Sequence, residues 1–233
     1  MKAESEGKAG TTGGGATRRR QIVLVDDHPV VGKGIGSLLH ATHEFELAGQ
    51  AVNVVDAMEL IKTCNPDLVL LDLSLPGPGG LELLKNLQVS HPDLPIVVLS
   101  MFDENAFAER VLRAGGKGYV MKHESGDKVL AAIRCVLAGG VYVSPSLTTR
   151  LLASFVPGSA PEKKGADTLN DREMQVYSMI GSGMATQKIA IQLNLSPKTV
   201  QTYREHIKRK MGLRTATELI HSATLWIRSQ CGR

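Results

Sequence analysis

The sequence predicts a doubly wound α/β domain with a five-stranded parallel sheet, followed by a small all-α helix-turn-helix domain. Three observations predict it. First, four short apolar runs each end on a polar residue: Ile22–Val25 on Asp26-Asp27, Leu68–Leu71 on Asp72, Ile96–Leu99 on Ser100, and Gly118–Met121 on Lys122. Runs of this kind, separated by helix-length segments, read as buried parallel strands. Second, the intervening segments carry apolar residues at helical spacing. Third, charge divides the chain: Thr168–Arg233 holds ten Lys/Arg against four Asp/Glu, a net +6, so within the total of +4 the first 167 residues carry −2.

The elements follow in order. After the first strand, Pro29 suits the first turn of a helix whose face is filled by Val30, Val31, Ile35, Leu38 and Leu39. Phe45–Val52 is a strand of weaker signature. Leu81, Leu83, Leu84 and Leu87 fill a helix face after Gly79-Gly80; Phe107, Val111 and Leu112 fill the next, and Val129, Ile133, Val136 and Leu137 the last. This maintained alternation is the pattern of a doubly wound sheet. Gly32-Lys33-Gly34-Ile35-Gly36 is not a dinucleotide loop, because it falls inside a helix beyond Asp26-Asp27-His28-Pro29 and not in the turn directly after a strand.

Met1–Thr17 is rich in Gly, Ser and Thr, and residues 1–19 are expected as a disordered tail. Arg18-Arg19-Arg20 reads as a solvated flank of the first strand. The α/β domain is expected over 20–139. Val156–Gly165, a Pro/Gly/Ser stretch with charge and little to bury, marks a linker within 140–167, where a helix is also allowed. The basic domain follows over 168–233. Cys64, Cys135 and Cys231 lack metal-binding spacing and imply a reducing compartment. With no long apolar run, a cytoplasmic protein without membrane partners is expected.

In open α/β sheets the site forms where the strands' carboxyl ends meet. Asp26, Asp27 and Asp72, with the Ser100 hydroxyl and the Lys122 ammonium, then share one crevice. Like charges held close require a cation, and hard oxygen ligands suit Mg2+. Asp27 and Asp72 can bind it directly and Asp26 can hold a coordinating water. Lys122 can neutralise an incoming phosphate, and Ser100 can donate a hydrogen bond to it.

The basic end begins a helix at Thr168–Glu173 with an Asn170/Asp171 capping signal, and Gly181-Ser182-Gly183 stops it. A short helix over Thr186–Leu193 and a turn at Asn194-Leu195-Ser196 follow. Ser196-Pro197 reads as N-cap and first residue of a longer helix to Met211, with Val200, Ile207 and Met211 inward. Helix, short turn, helix is the helix-turn-helix pattern. Its outward face carries Lys198, Thr199, Gln201, Thr202, Arg204, Glu205, Lys208 and Arg209. By position, Gln201, Thr202 and Glu205 are expected to read bases and the other five to hold phosphates. A last helix over Thr215–Ile227 places Ala216, Leu219, Ile220, Ala223 and Leu225 at near-helical spacing, with Trp226 at the edge.

From Arg20 to about Gly139 the chain resembles the receiver domain of bacterial two-component response regulators, of flavodoxin-like fold. The resemblance implies that Asp72 accepts a phosphoryl group from a histidine kinase, that the Ser74 backbone carbonyl is a further metal ligand, and that Tyr119 turns inward as Ser100 is drawn toward the phosphate. Phe102 and Ser74 are expected to flank the phosphate path. The chain departs from the family at Gly79, where Asp is frequent, which leaves the rigidity of the loop Leu73–Glu82 open. Thr168 to about Ala223 is similar to LuxR-type DNA-binding domains through Leu169, Arg172-Glu173, Gly183, Ile189-Ala190, Leu195-Ser196, Lys198-Thr199-Val200, Ile207, Lys210 and Gly212-Leu213. Ala185-Thr186-Gln187-Lys188 departs from its usual Ser-Asn-Lys-Glu.

The pairing resembles the NarL/FixJ family of transcription regulators. It implies DNA and RNA polymerase as partners and a homodimer, through the last helix, when the protein is phosphorylated or DNA-bound. It implies no enzymatic turnover beyond self-dephosphorylation. Two other readings stay open: a DNA-binding regulator that needs no phosphate, and a Mg2+-dependent phosphotransferase or phosphatase. Against the second, no further Asp follows Asp72 at the spacing of a general acid.

Overall fold

The computed structural model describes residues 18–77, 79–154 and 165–231. Five parallel strands, β1 (Arg20–Val25), β2 (Phe45–Ala51), β3 (Leu68–Asp72), β4 (Ile96–Ser100) and β5 (Gly118–Met121), form one sheet in the order β2-β1-β3-β4-β5. They alternate with α1 (Pro29–Thr42), α2 (Val54–Cys64), α3 (Gly80–Ser90), α4 (Glu104–Arg113) and α5 (Gly126–Leu137). The chain direction across the sheet reverses between β1 and β3, the position where doubly wound sheets open a crevice at their carboxyl edge. The expected tail lies outside the described residues over 1–17, and most of the expected linker lies outside them over 155–164. A further helix, α6, spans Pro145–Ser154.

Strand alternation sends neighbouring side chains to opposite faces. Ile22, Leu24, Leu68, Leu70, Val97, Leu99 and Val120 meet α1 and α5, while Val23, Val25, Val69, Leu71, Ile96, Val98 and Tyr119 meet the helices on the other face. This second core continues into the helical domain through Leu169, Met174, Val176 and Tyr177. That domain comprises a 3-10 turn (Gly165–Thr168), α7 (Asp171–Gly181), α8 (Thr186–Gln192), α9 (Pro197–Met211) and α10 (Ala216–Cys231).

Local chemistry sets the boundaries. Asn170 and Glu173 form a reciprocal capping box at the start of α7. Glu173, 2% exposed, also accepts a hydrogen bond from Lys210 Nζ at 2.7 Å, which fastens α7 to α9. Ser196 caps α9 by accepting from the Thr199 N–H, Pro197 follows at the first position, and Gly212 ends the helix in the left-handed region. Val200 and Ile207 are fully buried as expected, whereas Met211 is half-buried. Among the described residues no helix is long and apolar enough to cross a membrane.

The turn from β3 into α3 is the tightest part of the fold. A Cβ on Gly80 would stand 2.0 Å from the Asp72 carbonyl oxygen and 2.7 Å from Leu73 Cα, both backbone atoms that cannot swing away. Gly34, exposed in α1, has nothing within 4 Å. We expect Gly80→Ala to cost about 1–3 kcal/mol through overpacking and Gly34→Ala to add about 0.5–1 kcal/mol of stability by restricting the unfolded chain. Denaturant midpoints at constant slope measure both.

Candidate functional site

The ends of β1, β3 and β5 bring four predicted site residues together. Lys122 Nζ lies 2.6 Å from Asp72 Oδ2 and 2.8 Å from Asp26 Oδ2, with both carboxylates fully buried and the lysine side chain 6% exposed. Asp27 stands at the rim. Asp26, Asp27, His28 and Asp72 each offer a ligand atom within 4.8 Å of the others. Asp26 Oδ2 and Asp27 Oδ1 are buried and receive no hydrogen bond, although Lys122 Nζ and His28 Nδ1 approach them at 2.8 and 2.9 Å. Hard acceptors gathered this closely, three carboxylates against one ammonium, fit a divalent cation, as an oxygen set of this kind does for Mg2+.

Sequence reasoning did not assign His28. Its backbone N–H donates to Asp26 Oδ1 at 2.9 Å and its Nδ1 lies 3.1 Å from the same oxygen. This turn, in which the Asp26 carboxylate accepts from the N–H two residues on, is the signal that the pair Asp26-His28 carried. It leaves Asp26 Oδ2 to face Lys122.

Ser74, also buried, donates its backbone N–H to Asp72 Oδ1 at 3.0 Å, and its Oγ has no hydrogen-bond partner among the described residues. Ser100 ends β4 next to Asp72 and accepts from the Phe102 N–H at 3.1 Å. Tyr119 already points inward: it is 2% exposed and donates its hydroxyl to the Phe102 carbonyl at 2.8 Å. The expected inward turn of Tyr119 is therefore not a movement that starts from this conformation. Phe102 is likewise buried, its ring 4.6 Å from that of Phe107. Its side chain serves the core.

On the helical domain, α9 presents Lys198, Gln201, Thr202, Glu205 and Arg209 exposed, with Thr199, Arg204 and Lys208 half-buried. These side chains are not independent. Gln201 Nε2 donates to Glu205 Oε1 at 3.1 Å, and Lys208 Nζ pairs with Glu205 Oε2 at 2.8 Å. The Lys208 hydrogen bond, first among several, holds the Glu205 carboxyl below its ordinary range. Lys208 thus arrives at any ligand already paired, whereas Lys198 has no ion-pair partner among the described residues. On α10, Leu219 and Ala223 are fully buried, Trp226 stacks 5.6 Å from Tyr177, and Ile220 and Leu225 remain exposed.

Residues 22–134 match the response regulator receiver domain, and residues 167–223 match the bacterial regulatory proteins of the luxR family. Oxygen regulatory protein NreC of Staphylococcus aureus is 35% identical over 208 residues, which covers 87% of this chain and 96% of NreC. The chain belongs to the two-component response regulators with a LuxR-type DNA-binding domain. A LuxR-family response regulator from an Aurantimonas species superimposes with a TM-score of 0.55 at 32% identity, over 60% of this chain and 99% of that one. RcsB of Salmonella enterica serovar Typhimurium, bound to a promoter in the presence of phosphomimetic BeF3-, shares the fold with a TM-score of 0.59 at 24% identity, over 89% of this chain and all of that one.

In this response regulator the two domains touch through polar contacts. Lys85 of α3 reaches Asp171 at 2.7 Å, and Arg110 of α4 reaches Asp171 at 3.2 Å and the Leu169 carbonyl at 2.9 Å. Arg172 donates to the carbonyls of Leu75 and Gly77, and Gln175 donates to that of Leu73. The helix α10 also packs against α4. The face of α9 that bears Gln201 and Glu205 stays open.

Burial pushes the Asp72 carboxyl above its ordinary range; Lys122 opposes the rise and Asp26 reinforces it. A raised value in the folded state means that the folded chain holds the proton more tightly than the unfolded chain. That contribution is complete below the ordinary aspartate value of about 3.9 and is lost as pH rises through the folded value. Asp72→Asn abolishes this loss. In chelator-treated protein we expect Asp72→Asn to unfold a few degrees above the parent at pH 7, with the gap narrowing toward pH 4. Thermal melts across that range measure it.

Proposed function

We propose that Asp72 accepts a phosphoryl group from a histidine kinase and that this modification controls DNA binding by the α9 face. The convergence of Lys122 with three carboxylates at the carboxyl edge of the sheet carries the reading. One Asp72 carboxylate oxygen forms a bond to phosphorus while the phosphorus–nitrogen bond of the donor breaks, and the leaving imidazole takes up a proton. Such a transfer needs alignment and charge neutralisation more than acid or base work. Asp27, Asp72 and the Ser74 carbonyl would hold Mg2+, and Asp26 a coordinating water. The bound ion supplies charge neutralisation for the transferred group. Lys122 neutralises a further phosphoryl oxygen and Ser100 donates a hydrogen bond to another. Tyr119 acts as a switch residue through its bond to the Phe102 carbonyl, which ties the segment after Ser100 to β5.

The domain partition that follows is a receiver over 20–139, a connection over 140–167 and a DNA-binding domain over 168–233. In the output domain, Gln201, Thr202 and Glu205 read bases, while Lys198, Thr199, Arg204, Lys208 and Arg209 hold phosphates. The exposed Ile220 and Leu225 on α10 support a homodimer on adjacent half-sites. RNA polymerase is the expected further partner and the cytoplasm the expected location. The chain acts as a regulator whose own catalysis is limited to self-dephosphorylation.

Two measurements test these roles. Incubation with acetyl phosphate and Mg2+ should give a stoichiometric adduct by intact mass on the parent and none on Asp72→Asn; continuous turnover of the donor would instead support an enzyme. On a duplex selected from a random pool, Lys198→Ala should weaken binding to all sequences and reduce the salt slope by about 1. Gln201→Ala should instead alter preference between sites, by about 1–3 kcal/mol per affected base pair. Identical behaviour of the two variants would contradict the assignment of readers and phosphate holders.

A further inference from the structure

Two side chains of α7 end on the loop that carries the acceptor. Gln175 Nε2 donates to the Leu73 carbonyl at 3.0 Å, and Arg172 Nη2 donates to the carbonyls of Leu75 at 2.8 Å and Gly77 at 2.7 Å. Arg172 Nη1 joins the pair by donating to Gln175 Oε1 at 2.7 Å. Leu73 and Leu75 flank Ser74, whose own N–H is bonded to Asp72 Oδ1. With the carbonyls on both sides tied to a neighbouring helix, the Ser74 peptide has little freedom to turn.

Simple adhesion between domains does not require this arrangement. Lys85 and Arg110, both paired with Asp171, already join the domains without bonding to the carbonyls of Leu73, Leu75 or Gly77. Arg172, half-buried, has no carboxylate partner among the described residues; its Nη2 donates to two neutral carbonyls of one loop and its Nη1 to Gln175. A Cβ on Gly79 would stand 2.9 Å from Arg172 Cζ, so a side chain there would require the guanidinium to shift. Gln175, 2% exposed, is buried at the same contact.

We infer that Arg172 and Gln175, supplied by the DNA-binding domain, are positioning residues of the acidic site: by holding the carbonyls around Ser74 they place its own carbonyl to bind a divalent cation beside Asp72. The inference rests on the reading of Asp26, Asp27, Asp72 and Ser74 as a cation site. It makes the output domain part of the input chemistry. Coupling between binding sites is reciprocal, so cation binding in turn favours the docked arrangement of α7.

The test is calorimetric titration of Mg2+ into the full chain, with thermal midpoints of the metal-free proteins measured alongside. Loss of a group that orients a metal ligand typically weakens metal binding about 10- to 100-fold, and we expect about a tenfold weaker Kd for both Arg172→Ala and Gln175→Leu. Arg172→Lys should recover part of the loss, since an ammonium can donate to the loop carbonyls but lacks the second nitrogen that Arg172 uses to hold Gln175. A purely structural role would lower the thermal midpoint and leave the Mg2+ Kd unchanged. Parent-like or tighter Mg2+ binding in Arg172→Ala, or in Gln175→Leu should the first variant fail to fold, overturns the inference. Absence of Mg2+ binding by the parent overturns the cation-site reading and the inference with it, whereas a parent that binds while the variants match it overturns the inference alone.

Discussion

Lys122 Nζ stands between the buried carboxylates of Asp72 and Asp26, at 2.6 and 2.8 Å, and the carboxyl edge of the sheet is organised around that contact. Removing charge from water is costly unless partners replace the hydration. One ammonium cannot balance Asp26, Asp27 and Asp72 together, so three negative charges against one positive leave room for a divalent cation. The parallel sheet makes the contact possible. Asp72 ends β3 while Asp26 and Lys122 directly follow β1 and β5, all at the same edge, and the change in winding direction across the sheet between β1 and β3 opens the space in front of Asp72.

The same economy of space governs the loop that leaves β3. Gly80 must lack a side chain because the Asp72 carbonyl occupies the position that a Cβ would take. The loop is thus fixed at one end by its own backbone, with the Gly80 N–H bonded to the Leu73 carbonyl at 3.2 Å. On its outer side the fixing groups come from α7. The apolar core agrees with this continuity, since the residues under β3 and β4 belong to the same cluster as Met174, Val176 and Tyr177. A perturbation at Asp72 is therefore separated from the output domain by a short run of backbone and two side chains.

Much of this was legible in the sequence because its causes are local. Buried parallel strands need uninterrupted apolar runs, so Leu68–Leu71 announced both β3 and the position of Asp72. Ser196-Pro197 announced the start of α9, since a capping hydroxyl and a pre-set φ have few other uses. The pairing of Glu205 with Lys208 also follows from spacing along one helix. The remainder depends on contacts that spacing does not encode. Arg172 carried only its similarity to LuxR-type domains and Gln175 no signal at all, and nothing local marks Leu73, Leu75 and Gly77, about one hundred positions earlier, as their acceptors. Tyr119 read as a residue awaiting a cavity, whereas packing against the segment that contains Phe102 already holds it inward. The rigidity of the loop at Gly79 was open in the sequence because what holds the loop lies in another domain.

Under the proposed function, phosphorylation of Asp72 is felt at α9. The most direct test compares the affinity of the full chain for a selected duplex with and without a phosphodonor, at fixed salt and Mg2+, for the parent and for Asp72→Asn. Phosphorylation is expected to tighten parent binding by about 5- to 150-fold, the range of ordinary allosteric coupling, and to leave Asp72→Asn unchanged. Equal affinity of the phosphorylated and unphosphorylated parent, or an equal response from Asp72→Asn, would contradict it.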